Sequence, residues 1–238
     1  MTNAPWTTLA AFIVLLGAAA AVGADPAADG PRRIPGSSAV QGAPPPVPPQ
    51  PLTLRVDDVR SLGSPTATLA LVEFGDYQCP YCRDFDIQTL PQIVRAYVEK
   101  DKVRYFYRDF PLSKHPEAFR ASVVAHCAGE QGRYWETHRR LYANQQRLGE
   151  ALYTELMQTP GVDRARFKEC RDGQAARRAV QQDIAEARAI GVRLTPTFAL
   201  GRIENGRVVV ERIAEGVFPL AVFEREIEAL RAAPRATK

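Results

Sequence analysis

The sequence predicts an α/β domain in which a long helical block separates two groups of strands. An apolar strand pattern at 68–74 is followed by a helical pattern and by a second strand pattern at 102–109. Strand, helix and strand in this order are typical of a right-handed parallel unit. Residues 113–191 then read as helical almost throughout, and a strand hairpin and a last helix follow them.

Each element has its own sequence pattern. The first strand, TLALVEF, is almost continuously apolar, which is typical of a strand buried on both faces. Asn205-Gly206 between two strand patterns predicts a hairpin turn, and residues 218–230 form an amphipathic last helix. In the helical block an apolar stripe ends at Gly191 and consists of Ala176, Val180, Ile184, Ala187 and Ile190.

The composition is that of a soluble globular protein. The chain has 238 residues, of which 45% are hydrophobic and 24% charged, and this mix excludes a wholly disordered, collagen-like or coiled-coil chain. Lys and Arg number 31 against 27 Asp and Glu, and they form no basic block. Nucleic-acid binding is therefore not expected.

The first 51 residues are expected to lie outside the folded domain. Residues 1–24 carry no charged side chain, and an apolar run over 9–22 ends in small residues, which predicts a signal peptide. Because no Lys or Arg precedes the run, an uncleaved membrane anchor is the alternative. Residues 25–51 are rich in Pro, Gly, Ala and Ser and predict an extended spacer. Either alternative places the domain, 52–231 with a tail at 232–238, in an oxidising periplasmic or other extracytoplasmic space.

The motif Cys79-Pro80-Tyr81-Cys82 lies between a strand pattern and a helix pattern. Proline suits the first helical position because its missing N–H would be unpaired there. Cys79 is then at the helix N-terminus, where backbone N–H groups and the helix dipole stabilise a thiolate. We therefore predict that Cys79 is the nucleophile and that Cys82, one turn later, is the resolving thiol.

A zinc site is the alternative use of two cysteines at this spacing. It needs a second pair of ligands, and the other cysteines, Cys127 and Cys170, are about forty residues apart. We expect no metal and no organic cofactor.

These motifs resemble the DsbA-like branch of the thioredoxin superfamily. The resemblance covers roughly 52–231 and rests on the segment EFGDYQCPYC, on the helical block and on Thr195-Pro196 before a strand. It implies a thioredoxin fold with a helical domain, about 113–191, inserted between the strand after the active-site helix and the cis-proline strand. It also implies thiol–disulfide exchange outside the cytoplasm.

The resemblance also assigns roles to single residues. Cys79 and Cys82 match the redox pair, while Thr195 and Pro196 match the residue and the cis-proline that face the pair and bind substrate backbone. Glu73 matches the acid beneath the pair, which would take the proton of the resolving thiol; a solvent-facing Glu73 is the alternative.

Pro80 and Tyr81 are expected beside the substrate. Tyr81 stands where the strongly oxidising DsbA pattern has a histidine. Because Tyr81 carries no positive charge, we expect the pKa of Cys79 to be less depressed and the pair less oxidising than in that pattern.

The remaining cysteines and the histidines are expected to be structural. Cys127 and Cys170 lie on apolar helix faces, and in an oxidising space they predict a disulfide within the insertion; a second redox pair and two buried thiols are the alternatives. The three histidines, His115, His126 and His138, share no metal-ligand spacing and are predicted to be capping or surface residues. A place at the border of the site is the alternative for His115. The aromatic residues predicted to form the core of the insertion are Phe119, Tyr134 and Trp135.

The sequence thus predicts an exported thiol–disulfide oxidoreductase. Its expected partners are unfolded or partly folded secreted proteins with cysteines and a membrane redox protein that resets the pair, and we expect a monomer. Tyr81 together with Thr195 also resembles DsbG-type reductases and isomerases, although a spacer stands where those have a dimerisation domain. A non-enzymatic chaperone or binding module on the same scaffold is the second class of hypothesis.

Overall fold

The computed structural model describes residues 51–234 and the backbone of residues 7 and 8. The predicted export segment and spacer, apart from these two residues and Pro51, lie outside the described residues, as does the end of the tail. Among the described residues no helix combines the length and the apolar character needed to cross a membrane.

Seven strands in the described part of the chain form one mixed sheet. They are β1 (Thr7–Thr8), β2 (Thr53–Arg55), β3 (Ser61–Leu62), β4 (Leu69–Gly75), β5 (Arg104–Asp109), β6 (Thr197–Glu204) and β7 (Arg207–Glu215). Their order is β1-β7-β6-β4-β5-β3, and β2 also pairs with β7. Strand β4 is parallel to β5 and antiparallel to β6, so the predicted parallel pair is present.

Helices follow β4, fill the segment between β5 and β6, and close the chain after β7. They are α1 (Pro80–Asp84), α2 (Leu90–Ile93), α3 (Ala118–Gly129), α4 (Tyr134–Ala143), α5 (Glu150–Met157), α6 (Arg164–Asp172), α7 (Ala175–Ala189) and α8 (Leu220–Ala232). Helix α1 passes into π-helical turns at Phe85–Thr89 and, after α2, at Val94–Val98. The predicted fold class, an α/β fold with a helical domain inserted before the cis-proline strand, is confirmed.

The sheet is covered on both faces because successive residues of a strand point to opposite sides. Leu69 and Leu71 of β4 belong to the core formed with α1, α8 and most of the insertion. Ala70 and Val72 belong to a second core with Ala187 near the end of α7. Strand β4 is therefore buried along its whole length, as its continuous apolar pattern predicts.

The hairpin between β6 and β7 follows the Asn-Gly prediction. Asn205 and Gly206 have φ values of 49° and 72°, the left-handed conformation that a tight hairpin turn requires at both central residues. The pairing shifts register between Leu200 and Gly201. A Cβ atom on Gly201 would lie 2.0 Å from the carbonyl oxygen of Val209, so this bulge requires glycine.

A buried ionic cluster joins the segment before β3 to β5 and α7. The Arg60 guanidinium donates to Oδ2 of Asp109 over 3.1 Å and to both carboxylate oxygens of Asp183. Asp183 also accepts the backbone N–H of Asp109 over 3.0 Å. His126 Nε2 lies 3.1 Å from Asp109 Oδ2, so the predicted surface or capping role of His126 is wrong: its ring packs into this cluster.

Three members of the cluster have an arrangement that a metal ion could use. One ligand atom each from Asp109, His126 and Asp183 lies within 4.8 Å of the others. The guanidinium of Arg60 lies among them, 3.2 Å from His126 Nε2. Its positive charge offsets one of the two carboxylate charges, and the Arg55 guanidinium also lies 3.2 Å from Oδ1 of Asp183.

The insertion is joined internally by a disulfide between α3 and α6. The Cys127 and Cys170 sulfurs are 2.07 Å apart and the Cα atoms 5.6 Å apart. Tyr134 is buried in the same core, whereas Trp135 and Phe119 are half-buried and pack against it. The aromatic residues predicted for this core therefore all contact it.

Candidate active site

The Cys79–Cys82 segment begins helix α1 directly after β4. Cys79 is the N-cap residue in an extended conformation, and Pro80 is the first helical residue, as predicted. The Cys79 N–H donates to the Asp76 carbonyl over 3.0 Å, which closes the turn. Cys79 is 3% exposed and Cys82 fully buried, and both are free thiols. Cys82 therefore has no exposed surface at which a reaction partner could attack, whereas Cys79 keeps a small one.

The loop before β6 faces the cysteine pair. The Thr195–Pro196 peptide bond is cis, as the resemblance implies. The Cys79 thiol donates to the carbonyl oxygen of Thr195 over 3.4 Å. Thr195 Oγ1 is buried and has no hydrogen-bond partner in the described part of the chain. The fold thus places an unused hydroxyl beside the reactive sulfur.

The two sulfurs differ in acidity. The hydrogen bond from the Cys82 thiol lowers the pKa of Cys79 to about 6, with further contributions from Thr195 and from backbone N–H groups, and these outweigh the effect of burial. Burial raises the pKa of Cys82 well above its ordinary value, as do its hydrogen bond to Cys79 and the charge of Glu73. At neutral pH Cys79 is therefore the thiolate and Cys82 the thiol.

Glu73 lies on β4 and is 1% exposed, so the solvent-facing alternative is wrong. The Tyr105 hydroxyl donates to Glu73 Oε2, while Oε1 has no hydrogen-bond partner among the described residues. Burial raises the pKa of Glu73 well above its usual range, and the charges of Asp86 and Cys79 raise it further. A carboxyl of this kind gives or takes a proton at a higher pH than an exposed glutamate does.

Asp76 organises the turn before Cys79, although no prediction singled it out. Its Oδ1 accepts the Gln78 N–H over 2.7 Å and its Oδ2 accepts the Leu112 N–H over 2.8 Å. Oδ2 also lies 2.8 Å from Nδ1 of His115, so His115 borders the site, which was the alternative to its predicted capping or surface role. An aspartate two residues before the amide that it caps is an Asx-turn pattern, and this signal identifies Asp76 from the sequence.

His138 is buried and contacts the π-helical turn that follows α1. Its predicted surface or capping role is therefore wrong. Its Nε2 is 3.0 Å from Oδ1 of Asp86, and its Nδ1 is 2.9 Å from the hydroxyl of Tyr77. The ring packs edge-on against Tyr107 and Tyr142. A polar ring is accommodated in this core because both of its nitrogens have partners.

The insertion also holds the active-site turn in place. Gln145 lies in a 3-10 turn between α4 and α5 and is buried. Its Nε2 donates to the carbonyl oxygens of Tyr77 and Cys79 over 2.9 and 3.0 Å. No local pattern marks Gln145, because both acceptors are more than sixty residues away in the chain.

The surface around Cys79 is apolar. Tyr81 is 60% exposed, and Leu194, directly before Thr195, is also exposed. Pro80 is exposed at the start of α1. The residues predicted beside the substrate therefore present apolar surface close to the reactive sulfur, with Thr195 buried behind it.

Comparison with known proteins identifies the same fold. A family model described as thioredoxin matches residues 56–215. The crystal structure of alpha-DsbA1 from Wolbachia pipientis superposes with a TM-score of 0.63 at 20% sequence identity. The match covers 72% of this chain and 89% of that one, and it shows that the two share a fold.

Two curated relatives also match this chain. The probable disulfide bond formation protein D of Bacillus anthracis is 28% identical over 155 residues, which are 61% of this chain and 71% of that protein. The Na(+)/H(+) antiporter NhaA 3 of Salinispora tropica is 34% identical over 163 residues, which are 68% of this chain and 24% of the antiporter. The chain thus spans about a quarter of the length of that relative.

Proposed function

We propose, since this chain belongs to the thioredoxin family and to its DsbA-like branch, that it exchanges disulfides with the cysteines of exported proteins through Cys79 and Cys82. The observation that carries this proposal is the pair of unlike sulfurs at the start of α1. The Cys79 sulfur has a pKa of about 6 and faces Thr195, while the pKa of the fully buried Cys82 is raised.

The exchange has two steps in the oxidising direction. A client thiolate attacks Cys79 Sγ of the Cys79–Cys82 disulfide; the S–S bond breaks, Cys82 leaves and takes up a proton, and the client is bonded to Cys79. A second client thiolate attacks the client sulfur of this mixed disulfide, and Cys79 leaves as a thiolate. Two electrons pass from the client thiols to the cysteine pair. The low pKa of Cys79 makes it a good leaving group in the second step.

Glu73 supplies and removes the proton of Cys82 in this proposal. Its charge acts on the Cys82 thiol, and its Oε1 has no hydrogen-bond partner among the described residues. The raised pKa of Glu73 suits a group that protonates Cys82 as it leaves and deprotonates it as it attacks. Tyr105 keeps the carboxyl in place through its hydrogen bond to Oε2.

We place this activity outside the cytoplasm. The Cys127–Cys170 disulfide supports that location, because disulfides persist in oxidising compartments. The apolar run at 9–22 would carry the domain there as a signal peptide or as an anchor. The protein would act as a monomer on unfolded clients and would be reset by a membrane redox protein.

Exchange with a model peptide tests the proposal. The oxidised protein is mixed with a reduced peptide that contains two cysteines, and peptide disulfide is followed by mass spectrometry. We expect the native chain to oxidise the peptide and Cys79→Ser to fail. Binding of unfolded client by native and C79S protein, with no exchange by either, would favour the binding-module hypothesis and contradict ours.

The reduction potential of the Cys79–Cys82 pair sets the direction of exchange. Equilibration with glutathione buffers measures it. A value well above about −150 mV makes the protein an oxidase, and one near the −270 mV or so of thioredoxin makes it a reductase. Because Tyr81 is uncharged, we expect a potential more negative than the roughly −120 mV of DsbA.

A further inference from the structure

A groove beside the active site combines apolar walls with positive charge. It lies between the segment 110–119 and the end of α7 with the loop that follows, and its volume is about 630 Å³. Its lining includes four large apolar side chains and two arginines: Phe110, Leu112, Phe119, Ile184, Arg188 and Arg193. None of the described residues that line it is an aspartate or a glutamate.

Both walls of the groove connect to the reactive sulfur. On one side, the Leu112 N–H donates to Asp76 over 2.8 Å, and the Asp76 carbonyl accepts the Cys79 N–H over 3.0 Å. On the other side, the wall continues from Arg193 through Leu194 to Thr195, whose carbonyl oxygen accepts the Cys79 thiol over 3.4 Å. A peptide bonded through its cysteine to Cys79 therefore meets this groove within a few residues.

The two arginines are available to a ligand. The Arg193 side chain is 83% exposed, and its ion-pair partner, Glu215, is 3.7 Å away. Arg188 is exposed and has no ion pair with any described residue. Two solvated cations beside an apolar groove attract a carboxylate from solution and repel a second cation.

We propose that this groove binds the client segment next to the reactive cysteine and prefers segments in which an apolar and an acidic side chain flank that cysteine. The proposal rests on the function proposed above and names its substrate class. It predicts that unfolded clients are not exchanged at equal rates, because charge near the cysteine changes the encounter with Arg188 and Arg193.

Binding without chemistry tests the groove independently of exchange. Two peptides are compared that differ only in Asp or Lys beside a serine that replaces the cysteine. Each is titrated into the ¹⁵N-labelled oxidised full chain, and amide chemical shifts are followed. We expect the acidic peptide to perturb residues 110–119 and 184–193 and the basic peptide to do so less. Equal perturbation by both peptides, or none in these segments, would overturn the proposal.

Exchange rates then test the two arginines. The same peptides with cysteines are reacted with the native chain, with Arg188→Glu/Arg193→Glu, and with Arg178→Glu/Arg225→Glu. The last variant changes net charge equally at two exposed arginines that do not line the groove. For each protein we take the ratio of the exchange rate of the acidic peptide to that of the basic peptide. Comparing this ratio between proteins removes the effect of the peptide's own thiol pKa.

At low salt we expect the native chain and the control to share one ratio, and R188E/R193E to lower it by about three- to tenfold. High salt should reduce the difference. An unchanged ratio in R188E/R193E contradicts the groove proposal even if exchange is fast. Conversely, binding of the acidic peptide in the groove without exchange of either peptide would support the groove proposal and contradict the proposed oxidoreductase function.

Discussion

The thiol of Cys79 donates to the carbonyl oxygen of Thr195 over 3.4 Å, across 116 residues of sequence. Ionisation of the thiol removes that hydrogen bond, since a carbonyl cannot donate to a thiolate. The Thr195 hydroxyl, which has no hydrogen-bond partner in the described chain, then becomes the available donor. We therefore expect Thr195 to accept from the thiol through its carbonyl oxygen and to donate to the thiolate through its hydroxyl.

The first prediction concerns the pKa of Cys79 and its dependence on Thr195. Alkylation of the reduced protein by iodoacetamide at varied pH should titrate with a midpoint of about 6. Thr195→Val removes the hydroxyl donor and should raise the midpoint by about one unit, whereas Thr195→Ser should restore it. A native midpoint near that of a free cysteine, about 8.5, would remove the basis of the proposed activity.

Glu73→Gln should slow the steps in which Cys82 gains or loses its proton. Glutamine keeps the size of the side chain but cannot transfer a proton. When the reduced protein reacts with an oxidised client, which is the reducing direction, we expect about a hundredfold loss in the rate at which Cys82 resolves the mixed disulfide. Quenched-flow trapping of the mixed disulfide measures this rate. The alkylation midpoint of Cys79 serves as the control for a disturbed site. Resolution at the native rate would show that Glu73 is not the proton carrier.

The reduced protein should gain stability relative to the oxidised protein as the pH rises from 5 to 8. Folding lowers the pKa of Cys79 to about 6 from about 8.5 in an unfolded chain. The Cys79 thiolate thus stabilises the folded state fully above about pH 8.5, and this stabilisation is lost as the pH falls through 6.

Urea unfolding of both redox forms at pH 5 and pH 8 measures this difference. Between pH 5 and pH 8 we expect the free energy of unfolding of the reduced form to rise by about 2.5 kcal/mol relative to that of the oxidised form. This value follows from the separation of the two pKa values. A difference that does not change with pH would contradict the assigned acidity of Cys79.

Removal of the second disulfide should cost stability and leave exchange intact. Cys127 and Cys170 are 43 residues apart in sequence, and in the chain-entropy model a loop of this length corresponds to about 4 kcal/mol. Denaturant unfolding of Cys127→Ala/Cys170→Ala measures the loss. If the peptide exchange rate fell with it at a temperature where the variant is folded, the alternative of a second redox pair would be favoured instead.

The buried ionic cluster makes a prediction for Asp183. Asp183→Asn removes the charge that faces Arg60 and keeps the shape of the side chain. Arg60 then keeps only Asp109 and Asp57 as charged partners, and the loss of one partner from this buried cluster should lower the free energy of unfolding by about 3–5 kcal/mol. Asp172→Asn, at an exposed ion pair with Lys168, is the matched control and should change it little. Equal effects in the two variants would contradict this account of the cluster.

Features that depend on neighbouring residues were predictable from the sequence. The turn at Asn205 and Gly206 needs only residues that adopt positive φ, and the placement of Cys79 as N-cap needs only the proline after it. The burial of β4 follows from its apolar run. The cis bond at Pro196 came from the resemblance, because most X-Pro bonds in folded proteins are trans.

Contacts between distant polar residues were not predictable in this way. His138 was expected at the surface, yet Asp86, 52 residues earlier, allows its ring to be buried. Arg60 and Asp183 are 123 residues apart, and each offsets part of the desolvation of the other. A charged or polar side chain enters a core when a partner offsets its desolvation, and the identity of that partner depends on the whole fold.

Gln145, which belongs to the helical insertion, donates to the carbonyl oxygens of Tyr77 and Cys79. The conformation of the turn that carries Cys79 therefore depends on the insertion. A chimera that exchanges the insertion for that of another protein also exchanges the support of the cysteine-bearing turn. Shortening the protein to a minimal thioredoxin core would remove that support altogether. A transfer of the segment with Pro80-Tyr81 into another protein should therefore include the segment around Gln145.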